Sequence, residues 1–239
     1  MYKSDLAYIH HHGFSAFARR IGPGVLAELR QAGVKTGRVV DLGCGDGTWL
    51  RMLVDRGYAA EGIEQSRGLV AYAASVGGSK VRVGSVYDTP FPRCDAMTAL
   101  GEVLSYCSGE QTAPSIGRLF RRAFAALRPG GVLIFDVLVS GRRMAYQAWR
   151  AGRTWAVLTR VDEEPKRQRL IRDIVTFRKA AAGYRRGHER HVLRVFTRQA
   201  VLAELRRAGF RARARNRYGR TRLPVRRWAF VARKPLAAR

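Results

Sequence analysis

The sequence predicts an α/β fold, an open and mostly parallel sheet with helices on both faces. Three observations lead to it. Over the first 140 of 239 positions, short runs of β-branched and apolar residues alternate with amphipathic helical stretches. The first run, Val39-Val40-Asp41-Leu42, empties into Gly43-Cys44-Gly45-Asp46-Gly47-Thr48, which reads as strand, tight turn and helix start. Such a turn lets a ligand lie against bare backbone. Near the end of the chain, Phe210–Arg215 and Trp228–Lys234 offer two further strands that close the sheet.

The elements follow in order. Asp5–Phe14 and Ser15–Arg20 read as short helices, and Pro23 opens a third over Gly24–Ala32, with Val25, Leu26 and Leu29 on one face. After the glycine turn, Leu50, Leu53 and Val54 form a helix stripe that Gly57 ends. A second strand closes Ala60-Glu61-Gly62-Ile63-Glu64-Gln65-Ser66, and a helix runs from Leu69 through Ala74 towards Gly77. Lys80–Asp88 holds a third strand and its exit, and Asp95–Leu100 a fourth, buried strand leading into Gly101-Glu102-Val103-Leu104-Ser105-Tyr106. A helix from Pro114 to Leu127 carries Ile116, Leu119, Phe120 and Phe124 at helical spacing; Arg128-Pro129-Gly130-Gly131 stops it, and Val132–Val137 is a fifth, central strand. Between Gly141 and Phe196 the pattern becomes β-rich, with three strands at Trp155–Val161, Arg169–Phe177 and His188–Phe196 separated by turns at Asp162–Pro165 and Ala182–Tyr184. By alternation Glu189 and His191 share one face of the last of these, and His188 and Arg190 the other. Thr197 caps a helix through Leu205 that Gly209 ends.

Composition bounds the function. The net charge of +27 is concentrated after residue 110, and 39 of the 45 basic residues are Arg. That bias fits an arginine-favouring coding composition as well as phosphate contacts, so a nucleic-acid partner is possible but not favoured. No apolar run spans a membrane, and Met1-Tyr2-Lys3-Ser4-Asp5 lacks the regions of a signal peptide, so a cytoplasmic location is expected. Cys44, Cys94 and Cys107 have no paired spacing for zinc or disulfides. His10, His11 and His12 are consecutive and so point about 100° apart on a helix; no metal site is expected.

The ligand of the glycine turn is set by its acids. A pyrophosphate turn needs a third glycine at position 48, where this chain has Thr48, and Asp41 and Asp46 would repel a phosphate. A cationic ligand is attracted instead. Glu64 ends the second strand twenty-one positions after Gly43, near the spacing of about 20 expected of an acid that binds a ribose diol. Asp-x-Gly-x-Gly-x-Gly with a strand-end acid resembles the class I S-adenosylmethionine-dependent methyltransferases of small-molecule type, and Leu-Arg-Pro-Gly-Gly-Val-Leu before the fifth strand is a second match. The resemblance implies a seven-stranded Rossmann-like sheet with a terminal antiparallel hairpin and a β-rich insertion between strands five and six. It implies a helical cap over 1–36, a donor-binding core over 37–140, a substrate insertion over 141–196 and the rest of the core over 197–239.

The resemblance also nominates residues. Asp41, Gly43, Cys44, Gly45, Gly47, Glu64, Gln65, Ser85, Val86 and Leu100 would hold S-adenosylmethionine and release S-adenosylhomocysteine. The N-terminal cap makes Tyr8 and His12 lining candidates, and Tyr106 and His191 are candidates for the substrate side. Ligands bind beyond the carboxyl ends of parallel strands, so chemistry is sought at the exit of strand four. There the chain has Leu100-Gly101-Glu102-Val103 rather than the Asn/Asp-Pro-Pro-aromatic signature of amino-methylation on a nucleobase. Glu102, His12 and His191 are the candidate bases for a hydroxyl acceptor, whereas a neutral amine needs none. The expected reaction is methyl transfer to a nitrogen or oxygen of a small molecule. An RNA- or protein-modifying enzyme that uses the basic half, or a cofactor-binding protein without turnover, is the alternative.

Overall fold

The computed structural model describes residues 2–107 and 115–236. Its centre is a seven-stranded sheet in the order β10-β13-β5-β4-β1-β2-β3. These strands are β1 (Gly37–Leu42), β2 (Tyr58–Glu64), β3 (Ser79–Val83), β4 (Cys94–Ala99), β5 (Leu127–Leu138), β10 (Arg211–Arg215) and β13 (Arg227–Arg233). The first five are mutually parallel, and β13 runs antiparallel to both β5 and β10. Helices α1 (Ser4–Phe14), α2 (Ala16–Gln31), α3 (Thr48–Val54), α4 (Arg67–Ala73), α5 (Ile116–Ala126) and α6 (Arg198–Arg207) surround it. Alternation along β5 sends Leu133, Phe135 and Val137 into one apolar cluster with Phe120 and Phe230, and Val132 and Ile134 into another with Leu29, Trp49 and Leu50. Both faces of the sheet are therefore covered. Strand order reverses between β1 and β4, which opens a crevice at their carboxyl ends.

The insertion is a four-stranded antiparallel sheet of β6 (Ala145–Gly152), β7 (Trp155–Glu164), β8 (Arg169–Ala180) and β9 (Gly183–Arg194). It is sewn to the core by backbone: Tyr106 bridges Leu193, Val139 bridges Phe196, and Cys107 N–H donates to the Val192 carbonyl at 3.0 Å. A buried ion pair between Arg226 and Glu163 adds a side-chain tie. Helix α1 fills the underside, where Leu6 and Ile9 pack on Trp155, Val157 and Ile174.

Four expectations change. The N-terminal region holds two helices rather than three, with Pro23 inside α2. The β-rich segment has four strands rather than three; β6 escaped because it is a sheet edge exposed along its whole length, so no face of it needs apolar alternation. Asp162, Glu163 and Glu164 end β7 instead of forming a turn. Arg128–Gly131 begins β5 instead of merely stopping a helix, and an irregularity in its pairing with β4 absorbs the extra length. A small ribbon, β11 (Arg217–Tyr218) with β12 (Thr221–Arg222), also lies between the two strands of the terminal hairpin. Pro114, expected to start α5, lies outside the described residues; within them Ser115 caps that helix through Arg118 N–H at 3.3 Å. Among the described residues no helix is long and apolar enough to cross a membrane.

Candidate active site

The glycine turn leaves β1 at the switch point. Gly43 and Cys44 N–H both donate to the Ile63 carbonyl, at 2.7 and 3.1 Å, which ties the turn to the end of β2. There Glu64 is buried, and its two carboxylate oxygens accept from Gly45 N–H at 3.1 Å and Ser66 N–H at 2.8 Å. Burial pushes its pKa up, against those hydrogen bonds. Gly45 has φ 58°, and a Cβ there would meet nothing within 4 Å except His10 Cε1 at 3.8 Å. The backbone thus faces open space beneath an imidazole. Gly47 is different, since its Cβ would strike Ala73 Cα of α4 at 2.8 Å.

The two acids flanking the turn do different work. Asp41 is buried and accepts from Thr98 Oγ1 at 2.6 Å, which in turn accepts from Trp49 Nε1 at 3.0 Å. Burial pushes the Asp41 pKa up to about 8, with the Thr98 hydrogen bond opposing. Asp46 is committed to the fold: it accepts from Thr48 N–H at 3.0 Å, contacts His11 Nδ1 at 2.9 Å and accepts from Ser15 Oγ. Asp41, Glu64 and the open space over Gly45 fit a ligand that brings positive charge and hydroxyl donors and approaches bare backbone. Cys44 is buried, with its side chain packed towards Gly62, and Gln65 is half-buried after Glu64. Ser85 Oγ accepts from Tyr87 N–H at 3.1 Å, while Val86 is buried and Leu100 packs partly buried against the core.

At the exit of β4, Asp136 organises the chain. Wholly buried on β5, it accepts from Gly101 N–H at 3.0 Å, Glu102 N–H at 2.9 Å and Tyr218 Oη at 3.0 Å. Glu102 itself, at φ 65°, is clamped by Arg172 at 2.8 Å and Arg227 at 2.6 Å. Burial raises its pKa, but Arg172 and Arg227 outweigh that and hold it below the usual range. A carboxylate held that way is a poor proton acceptor, so Glu102 is corrected from candidate base to ion-pair partner joining the insertion to the β4 exit. Next to it lies a ring cluster. Tyr2 contacts His10 edge-on at 5.3 Å between centroids, His191 at 5.2 Å and Tyr106 at 6.5 Å, and Tyr106 lies 5.6 Å from His191. The Tyr2 and Tyr106 hydroxyls are 3.4 Å apart. Burial, reinforced by Tyr106, pushes the Tyr2 pKa up, and burial pushes that of His10 down. Among the described residues, His10 Nδ1 and His191 Nδ1 are buried without a hydrogen-bond partner.

Of the sequence candidates, Tyr106 and His191 meet in this cluster, whereas Tyr8 and His12 do not. Tyr8 donates to or accepts from Thr154 Oγ1 at 3.2 Å beneath the Arg178 guanidinium, and His12 is exposed, with its ring 4.1 Å from that of Tyr8. One turn geometry explains the shift. Consecutive helical residues diverge, and it is His10 that faces Gly45 and His11 that reaches Asp46. Tyr2, His10, Arg172 and Asp136 were missed, whereas Glu189 was read beside His191 on one face of its strand. The triple histidine carried the signal for His10 without saying which ring turned inward; Tyr2, before the first helix, carried none.

The sequence profile of a family described as a methyltransferase domain matches residues 10–214. No curated protein sequence matches the chain. Among solved structures it is similar to an S-adenosylmethionine-dependent methyltransferase from Clostridium acetobutylicum, at 14% identity over 96% of this chain and 97% of that one, with a TM-score of 0.80. It is also similar to a sugar N-methyltransferase from a Streptoalloteichus species, at 22% identity, 98% and 93% coverage and a TM-score of 0.80. An amino pentose methyltransferase from Micromonospora echinaspora matches at 23% identity, 98% of both chains and a TM-score of 0.75. The glycine turn, the strand-end acid and a family match over most of the length agree: the chain belongs to the methyltransferase-domain family, in the class I S-adenosylmethionine-dependent fold.

Proposed function

We propose that the protein transfers a methyl group from S-adenosylmethionine to the nitrogen of a small amine acceptor, bound where Tyr2, His10, Tyr106 and His191 come together. The observation that carries this reading is the pair of buried imidazoles with unpartnered Nδ1 atoms beside the glycine turn and the β4 exit. An unmet buried polar atom costs about 1–3 kcal/mol, which a ligand donor relieves. When bound, the donor supplies an electrophilic methyl carbon whose bond to sulfur breaks as the acceptor lone pair forms the new one. The chain's share is positioning: Asp41 and Glu64 hold the donor, and the aromatic walls orient the acceptor and exclude water. Tyrosine rings also suit an amine that arrives charged. The sugar N-methyltransferase similarity supports a polar amine, such as an amino sugar. A macromolecular acceptor is less well supported: Arg172, Arg178, Arg185, Arg226 and Arg227 pair with carboxylates of this chain.

A panel of amino sugars and their hydroxyl counterparts, incubated with labelled donor, tests the acceptor. Label in the amines alone is expected; transfer confined to the hydroxyl compounds overturns the nitrogen assignment. Glu64→Ala should weaken S-adenosylmethionine by roughly 1.5–3 kcal/mol, the scale of a charge-assisted hydrogen bond, as read by isothermal titration. Unchanged affinity would put the ribose elsewhere. Donor binding should also release protons at pH 7. Asp41 is protonated below about 8, and an approaching cation favours its ionised form. The release is read as a dependence of binding heat on buffer ionisation enthalpy, and it should fall in Asp41→Asn.

The sign of the stability effect follows from the same shift. Between about pH 4, where an unfolded Asp ionises, and about 8, the folded state binds the extra proton. Asp41 therefore makes the ligand-free protein less stable as pH rises through that window.

A further inference from the structure

Glu189 and His191 sit on the inner face of β9, two residues apart and both buried. Glu189 Oε2 lies 3.0 Å from His191 Nε2, and its other oxygen, Oε1, accepts from the main-chain N–H of Lys3 at 2.9 Å. Both oxygens are thus engaged, and the carboxylate orients the ring. A carboxylate only accepts, so Nε2 carries a proton, and in the neutral ring Nδ1 presents a bare lone pair. That atom is buried, without a partner, in a ring whose neighbours are Tyr2 and Tyr106. His191 is 3% exposed.

Among the described residues the other polar groups around the ring are engaged elsewhere, and the second unpartnered imidazole nitrogen of the cluster, His10 Nδ1, belongs to the ring over Gly45. Arg172 is the register partner of His191 on β8, but its guanidinium is spent on Glu102. Tyr2 and Tyr106 bring hydroxyls whose mutual contact is 3.4 Å. His188 and Arg190, on the opposite face, pair with Asp173 instead.

We propose that Glu189 and His191 form a proton-accepting dyad in which His191 Nδ1 takes a proton from the acceptor amine and Glu189 is the positioning residue. The inference rests on the amine reading above and deepens it. An amine that arrives as an ammonium has no lone pair to attack with. Its N–H bond breaks, the electron pair stays on nitrogen, and the proton bonds to Nδ1; the imidazolium that results faces the Glu189 carboxylate. The dyad depends on the N-terminus, since Lys3 N–H holds Glu189 while the neighbouring Tyr2 carbonyl accepts from Ser66 Oγ at 2.8 Å, next to Glu64. A seated donor pocket and an oriented base therefore share one strap.

The test is nitrogen NMR on histidine-labelled protein saturated with S-adenosylhomocysteine, the His191 signals being assigned with His191→Asn. The expected result is the Nε2–H tautomer with bare Nδ1 at pH 8, a preference lost or weakened in Glu189→Gln, where the carboxylate no longer fixes the ring. A proton on Nδ1 at pH 8, or a tautomer indifferent to Glu189→Gln, overturns the proposal. With an amine turned over by the wild type, His191→Asn should lower kcat about 10²–10⁴-fold with KM little changed, and should flatten the acid limb of the pH profile. Wild-type kcat in a His191→Asn protein that binds S-adenosylhomocysteine normally sinks the dyad alone, whereas a wild type that does not bind it sinks the methyl-transfer reading instead. If His191→Asn does not fold, the signals of His10, His11, His12 and His188 are assigned by their own substitutions, and the NMR comparison of wild type with Glu189→Gln decides.

Discussion

Gly45→Val is expected to reduce affinity for S-adenosylmethionine at least about 100-fold, close to 2.7 kcal/mol, without unfolding the protein. Two effects add. Position 45 has φ 58°, a conformation that costs an ordinary L-residue about 1–2 kcal/mol and a β-branched one more. The side chain would also project into the one open space over the turn, bounded within 4 Å only by His10, so it displaces ligand rather than protein. Isothermal titration reads the loss, and a melting temperature within a few degrees of wild type separates it from collapse. Gly45→Ala should fall between. Near-native affinity in the valine variant would mean that the donor does not approach this backbone.

Asp136→Ala is expected to leave little folded protein. The substitution orphans Gly101 N–H, Glu102 N–H and the Tyr218 hydroxyl inside the core and leaves Arg227 with Glu102 as its carboxylate partner among the described residues. Each buried group left unpaired costs about 1–3 kcal/mol, and a domain's whole stability is about 5–15 kcal/mol. Urea unfolding followed by tryptophan fluorescence should show the midpoint lost or strongly lowered. Asp136→Asn, which keeps one accepting oxygen, should be less severe. A wild-type midpoint for Asp136→Ala would show that the β4 exit holds its shape by other means.

The core was legible because its strands are buried on both sides and its turns are chemically marked. Val39, Val40, Leu42, Met97, Ala99, Val132–Phe135 and Val137 are all buried and apolar, as both faces of such a sheet require, and Gly43, Gly45 and Gly47 all adopt positive φ. The edge strand β6 was not, because Ala145–Gly152 buries neither face. Pro23 misled for a local reason: proline suits the first turn of a helix, yet packing on α3 and β11 carries α2 straight through it. The site was half-legible. Residues tied to the glycine turn are local in sequence, so Glu64 could be found by spacing. The ring cluster is assembled from contacts as distant as Lys3 to Glu189, 186 positions apart, and no periodicity reports on those. Glu102 shows the converse. Its place after β4 was read from the strand order, but the two arginines that pair with it come from the insertion and from β13.

If the acceptor binds at the ring cluster as proposed, acceptor choice does not travel between relatives with the insertion alone. Among the described residues of the cluster and its supports, the insertion supplies His191, Glu189 and Arg172, while Tyr2 and His10 come from the N-terminal segment and Tyr106 from the β4 exit. A chimera that swaps 141–196 alone would mate foreign walls with resident ones and lose the Lys3 to Glu189 and Arg172 to Glu102 links at the seam. Three segments must travel together for a working graft.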